Sequence, residues 1–106
     1  MTGELFIVDN GSVQRRSLAR PPELEELQEA VEGLIEVIPH FETYKDKPCM
    51  AFCNEEGKLH GLPYNEPANL AWRVAFQKAT GRSPQPEYLV GPVVIVTGDE
   101  ELLDAL

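Results

Sequence analysis

Four side chains of this chain are of the types that attack carbonyls, carry protons or hold soft metals: Cys49, Cys53, His40 and His60. Together they are the ligand types of a structural zinc. The two cysteines, however, sit in the apolar run Cys49-Met50-Ala51-Phe52-Cys53 rather than on a metal-binding knuckle. On an extended strand, residues four apart stand roughly 13 Å from one another, beyond the ~7 Å that a disulfide spans. The expectation is two reduced, inert thiols buried on one face of a strand, with no metal and no cofactor. The consecutive acids Glu55 and Glu56 are expected to be solvated turn residues rather than an acid and a base. The spacings of a nucleophile elbow, a phosphate-binding loop and a dinucleotide fingerprint are all missing. A non-catalytic protein is expected.

Charge narrows the partners. Eighteen acidic residues against nine lysines and arginines give a net charge of −9, which repels nucleic-acid phosphates at long range. Direct nucleic-acid binding is therefore not expected, and Arg15, Arg16 and Arg20 read as a solvated edge strand. The opposite possibility is that Glu23, Glu25, Glu26, Glu29 and Glu32, with Asp99, Glu100, Glu101 and Asp104, imitate the phosphates of DNA. No apolar stretch reaches the ~20 residues of a membrane span, and the amino terminus lacks the pattern of a signal peptide. A cytoplasmic location fits reduced thiols.

The elements that position these residues follow from periodicity. At 106 residues the chain is expected to form one domain, residues 1–106. Residues 5–8 and 13–18 read as two strands around Asn10-Gly11, the pair favoured in two-residue turns that need positive φ. Pro21 and Pro22 precede a helix whose apolar positions are Leu24, Leu27, Val31 and Leu34, with Gly33 as its stop. Three further strands are expected: residues 34–38, residues 49–53, and residues 58–60 after a hairpin closed by positive φ at Gly57, with residues 42–47 left as a loop. Asn65 caps a second helix that ends at Thr80-Gly81. Residues 93–96, apolar on both faces, read as a central strand. Residues 99–106 form a short terminal helix. The order ββα-βββ-αβ predicts an α+β fold with a mixed, mainly antiparallel sheet carrying its helices on one face.

Two surface features stand out in this pattern. His60, Tyr64 and Asn65 gather at the start of the second helix, where backbone amides suit an anion or a small polar ligand such as a nucleotide. Leu70 and Val74 fall away from the apolar face of that helix, and predict either a cover from the chain's own tail or a symmetric dimer.

The segment Cys53-Asn54-Glu55-Glu56-Gly57-Lys58-Leu59-His60-Gly61-Leu62-Pro63-Tyr64-Asn65 resembles the core of an uncharacterised domain family of phages and mobile elements. The blocks Leu27 to Val31, Ile35 to Pro39 and Leu89 to Asp99 are similar to the same family's other blocks, in the same order. The resemblance implies a small accessory protein acting in the bacterial cytoplasm, and brings no catalytic residues with it. From this context comes the leading expectation, a protein that binds and modulates a host protein, defence components included. A small-ligand binder and an acidic DNA mimic are the alternatives.

Overall fold

The computed structural model describes residues 1–106. The chain runs β1 (Gly3–Asp9), β2 (Ser12–Leu18), α1 (Leu24–Val31), β3 (Ile35–Val37), β4 (Thr43–Tyr44), β5 (Lys47–Asn54), α2 (Glu66–Thr80), β6 (Val93–Gly98) and α3 (Glu100–Asp104). This is the α+β fold expected, and every strand pairing is antiparallel. The strand order is β2-β1-β6-β5-β3, with β4 paired to the start of β5. No helix is long and apolar enough to cross a membrane.

The strand alternation sorts side chains into two cores. Phe6 and Val8, Cys49 and Ala51, and Val93 and Ile95 point to one face, where they meet Ala68, Trp72 and Ala75 of α2. Leu5, Phe52, Val94 and Val96 point to the other, against Leu27 and Val31 of α1 and Leu102 of α3. The helices thus cover both faces, correcting the one-faced arrangement expected from sequence. The reason lies in β6: Val93, Val94, Ile95 and Val96 are all fully buried, which a strand achieves only when both its faces are roofed. Each such side chain contributes about 1.5–3 kcal/mol by leaving water.

Three local readings change. Residues 58–60 are not a strand; residues 55–61 form successive turns, with the His60 amide donating to the Glu56 carbonyl at 3.0 Å. The missing strand is β4, inside the expected loop. Lys45 and Asp46 both take positive φ, 53° and 64°, as a two-residue loop of the primed type requires. Gly57 does not hold the positive φ expected of it: Gly61 does, at 68°, while a Cβ on Gly57 would meet Val90 Cγ2 at 2.9 Å. In the first hairpin only Gly11 takes positive φ, because the Asn10 side chain is tied to Tyr64 and to the first residue of α2.

The end of α1 differs in the same way. Glu32, not Gly33, adopts the left-handed conformation that stops the helix. Gly33 lies against Asn54, whose Nδ2 would stand 2.7 Å from a Cβ there. That Nδ2 donates to the carbonyls of Val31 and Glu32 at 3.0 and 3.3 Å, and Oδ1 accepts from the Glu56 amide at 2.8 Å. Asn54 therefore closes the carboxyl end of α1 and starts the turns that follow β5.

Candidate functional site

The thiols lie on one face of β5, as the residue spacing predicts, and both are reduced. Burial pushes the Cys49 thiol up to about 12 and the Cys53 thiol up to about 11, so neither is a thiolate near neutral pH. Cys49 Sγ donates to the Phe41 carbonyl at 3.3 Å. His40 lies edge-on to Phe76, with ring centroids 5.1 Å apart and its Nδ1 3.6 Å from Glu42. His60 Nε2 is 3.9 Å from Glu56. The structure does not assemble these four side chains: no group of three or more His, Cys, Asp or Glu converges as a metal cage.

The start of α2 is a knot of satisfied polar groups. Asn65 is fully buried. Its Oδ1 accepts from the Ala68 amide at 3.1 Å, and its Nδ2 donates to the carbonyls of Val8 and Gly91 at 2.9 and 2.8 Å. Asn10 reaches over from the β1–β2 turn, its Oδ1 accepting from the Glu66 amide at 3.2 Å and its Nδ2 donating to the Tyr64 carbonyl at 2.7 Å. Pro67 has no amide hydrogen, and the Asn69 amide donates to the Asn65 carbonyl. Every amide that an anion would use at this helix start is therefore spent inside the protein. Asn65 is an architectural residue joining β1, residue 91 and α2. Tyr64 and His60 remain at the surface.

Two clefts open beside this knot. The larger, about 490 Å3, runs between the β3–β5 edge and residues 87–90. Trp72 lies at its base, almost fully buried, with Nε1 donating to the Pro39 carbonyl at 2.8 Å. Leu59, 78% exposed, and Tyr88 line it as well. Around these apolar groups are Glu36, Glu55, Glu56 and Glu87, and one cation, Lys58. Lys58 Nζ is 3.2 Å from the Glu87 carboxylate and 4.1 Å from the centre of the Tyr88 ring. Glu36 and Glu55 have no cationic partner. The result is an apolar floor under an acidic rim.

The smaller cleft, about 360 Å3, lies on the far side of Tyr88 and is lined by Tyr64, Asn69, Arg73, Gln85, Glu87 and the two prolines 84 and 86. His60 lines neither cleft. Sequence reasoning placed a site beside Tyr64 but missed Trp72, Tyr88 and Arg73. The available signal was that Trp72 lies two residues beyond Leu70 on a helix crowded with apolar residues, while Tyr88 follows a proline-rich connector.

Leu70 and Val74 are 50% and 59% exposed on the outer side of α2. The carboxyl-terminal residues do not cover them, because Leu102, Leu103 and Leu106 pack on the opposite face of the sheet. The acidic face of α1 is interrupted: Arg16 pairs with Glu26, and Arg20 lies 3.7 Å from Glu23 and 3.9 Å from Glu26.

No curated protein and no solved structure matches the chain. The family shows itself instead through a domain model that matches residues 1–105, and the chain belongs to that family, described as Domain of unknown function (DUF3846).

Proposed function

We propose that this chain is a non-catalytic binding protein that takes a cationic, apolar-anchored segment of a host protein into the larger cleft. The observation that carries this reading is the cleft's composition. An apolar base at Trp72, flanked by Leu59 and Tyr88, provides area for an anchor side chain. The rim carries Glu36, Glu55, Glu56 and Glu87 against the single Lys58, so its field favours arginine or lysine beside that anchor. The chain's net charge of −9 acts in the same direction over longer range. Two thiols held protonated by burial support binding over nucleophilic chemistry. The phage or mobile-element context implied by the resemblance of the segment Cys53 to Asn65 supports a host protein as partner, with defence components as the first class to test. The α1 face supports DNA mimicry less well, because Arg16 and Arg20 break its acidic track.

Cross-linking through a photoreactive group at position 59 in host lysate tests this reading. The account expects one host protein to be captured by the wild-type surface and lost from a Glu36→Lys, Glu55→Lys variant that folds normally. Capture insensitive to that reversal, together with unchanged phage restriction across a panel of defence systems, would sink it. We also propose that Leu70 and Val74 form the centre of a symmetric dimer, since nothing else in the chain covers them.

A further inference from the structure

We propose that the smaller cleft binds an aromatic anion of the mononucleotide type, with its ring against Tyr64 and Tyr88 and its anionic group on Arg73. Most of the chain's cations are already spoken for. In this acidic chain Arg15, Arg16, Arg20, Lys47, Lys58 and Lys78 all lie against carboxylates. Lys45 lies over the rings of Phe6 and Tyr44. Arg73 and Arg82 have neither kind of partner, and Arg73 lines the smaller cleft. The one acid in that cleft, Glu87, is turned to Lys58 at 3.2 Å. A guanidinium left without an internal carboxylate is suited to bidentate recognition of phosphate or carboxylate from outside.

The rings supply the second half of the site. Tyr64 and Tyr88 have centroids 6.0 Å apart with planes tilted 36°, and they are 49% and 44% exposed. Neither hydroxyl bonds to the protein, and neither does the Gln85 side-chain amide, so three neutral polar groups accompany Arg73 in directing a ligand. Stacking on such rings is tolerant of which base is presented.

The walls are held before any ligand arrives. Asn69 Oδ1 accepts from the Leu89 amide at 2.9 Å, and its Nδ2 donates to the Leu89 carbonyl at 2.9 Å, tying the segment that carries Tyr88 to α2. Tyr64 is pinned by Asn10 on one side and pairs with Val90 on the other. The Glu87 amide donates to the Pro84 carbonyl at 3.0 Å, closing the turn that presents Gln85. Walls fixed in this way lower the ordering cost of binding, and a volume of about 360 Å3 lies in the range of small-molecule sites. This inference stands apart from the partner-binding reading, which uses the other side of Tyr88.

Titration of the full chain with AMP and UMP, read by calorimetry and by amide chemical shifts, tests it. Adenosine and inorganic phosphate serve as separate ring and anion probes. The expected result is saturable binding with shifts at Tyr64, Arg73 and Gln85, each isolated probe binding more weakly than AMP. Arg73→Ala should weaken AMP by about tenfold or more, Tyr64→Ala should weaken it too, and Leu59→Ala, in the other cleft, should leave it unchanged. Absence of binding at about 5 mM of either nucleotide overturns the proposal. So does binding indifferent to Arg73→Ala, or adenosine binding as tightly as AMP.

Discussion

Lys58 reaches across the larger cleft to Tyr88, its ammonium 4.1 Å from the ring centre and 3.2 Å from the neighbouring Glu87 carboxylate. The protein's own cation thus occupies the position that best suits an incoming one, over an aromatic face and beside an acid. Both groups are largely exposed, so the contact is weak enough for a partner to displace. Lys58→Met is expected to strengthen binding of a cationic partner by about threefold or more, measured by calorimetry against wild type. Weaker binding by the variant would mean that Lys58 itself contacts the partner.

Asn65 is expected to matter for stability rather than for a ligand. Asn65→Ala removes the cap of α2 and leaves the buried carbonyls of Val8 and Gly91 without a donor. This costs about 3 kcal/mol and lowers Tm by about 10 °C or more. Asn65→Asp, a good cap on most helices, is expected to do no better, because it places a charge against those two carbonyls at 2.9 and 2.8 Å. An Asp variant as stable as wild type in a thermal melt would contradict this account of the residue.

The thiols predict an alkaline limit. Folding raises both from an ordinary 9.0, to about 12 for Cys49 and about 11 for Cys53. The unfolded chain therefore releases these protons first. Their contribution to stability is complete below about pH 9 and is lost as pH rises toward the folded values. Urea unfolding should show stability falling between pH 9 and about 10, with a shallower fall in Cys49→Ala. A slope unchanged in that variant would contradict the burial argument. Alkylation of the native protein at about pH 8 should be slow, with half-buried Cys53 reacting before Cys49.

Self-association at α2 is expected from Leu70 and Val74. Light scattering should find a concentration-dependent dimer in wild type and a monomer in Leu70→Glu, Val74→Glu. A wild-type monomer at every concentration would remove this surface from the account.

The α+β class, both long helices and the central place of β6 were legible because each rests on a run of side chains with one clear period. Val93 to Val96 read as a central strand, although the cover on both faces that such a strand needs was not carried through to the placing of the helices, and Asn65 and Gly81 mark the ends of α2 in their usual chemistry. What escaped was chemistry in unusual residues. The Lys45-Asp46 turn uses positive φ without glycine and is secured by Lys78 Nζ, 2.9 Å from Asp46. Gly57 was visible as special, but close approach and positive φ leave the same letter in a sequence. The clefts were harder still. Trp72, Lys58, Leu59 and Tyr88 meet through long-range ties such as that of Asn69 to residue 89, a bond between groups twenty residues apart.

The binding account is tested most directly through Trp72, the chain's one tryptophan, which lies at the base of the larger cleft. Its fluorescence is to be followed while the host protein captured through position 59 is titrated in. The account predicts a saturable change that weakens as salt rises from about 0.05 to 0.5 M and disappears in the Glu36→Lys, Glu55→Lys variant. A Trp72 spectrum unaltered at saturation, or equal affinity in the charge-reversed protein, would contradict it.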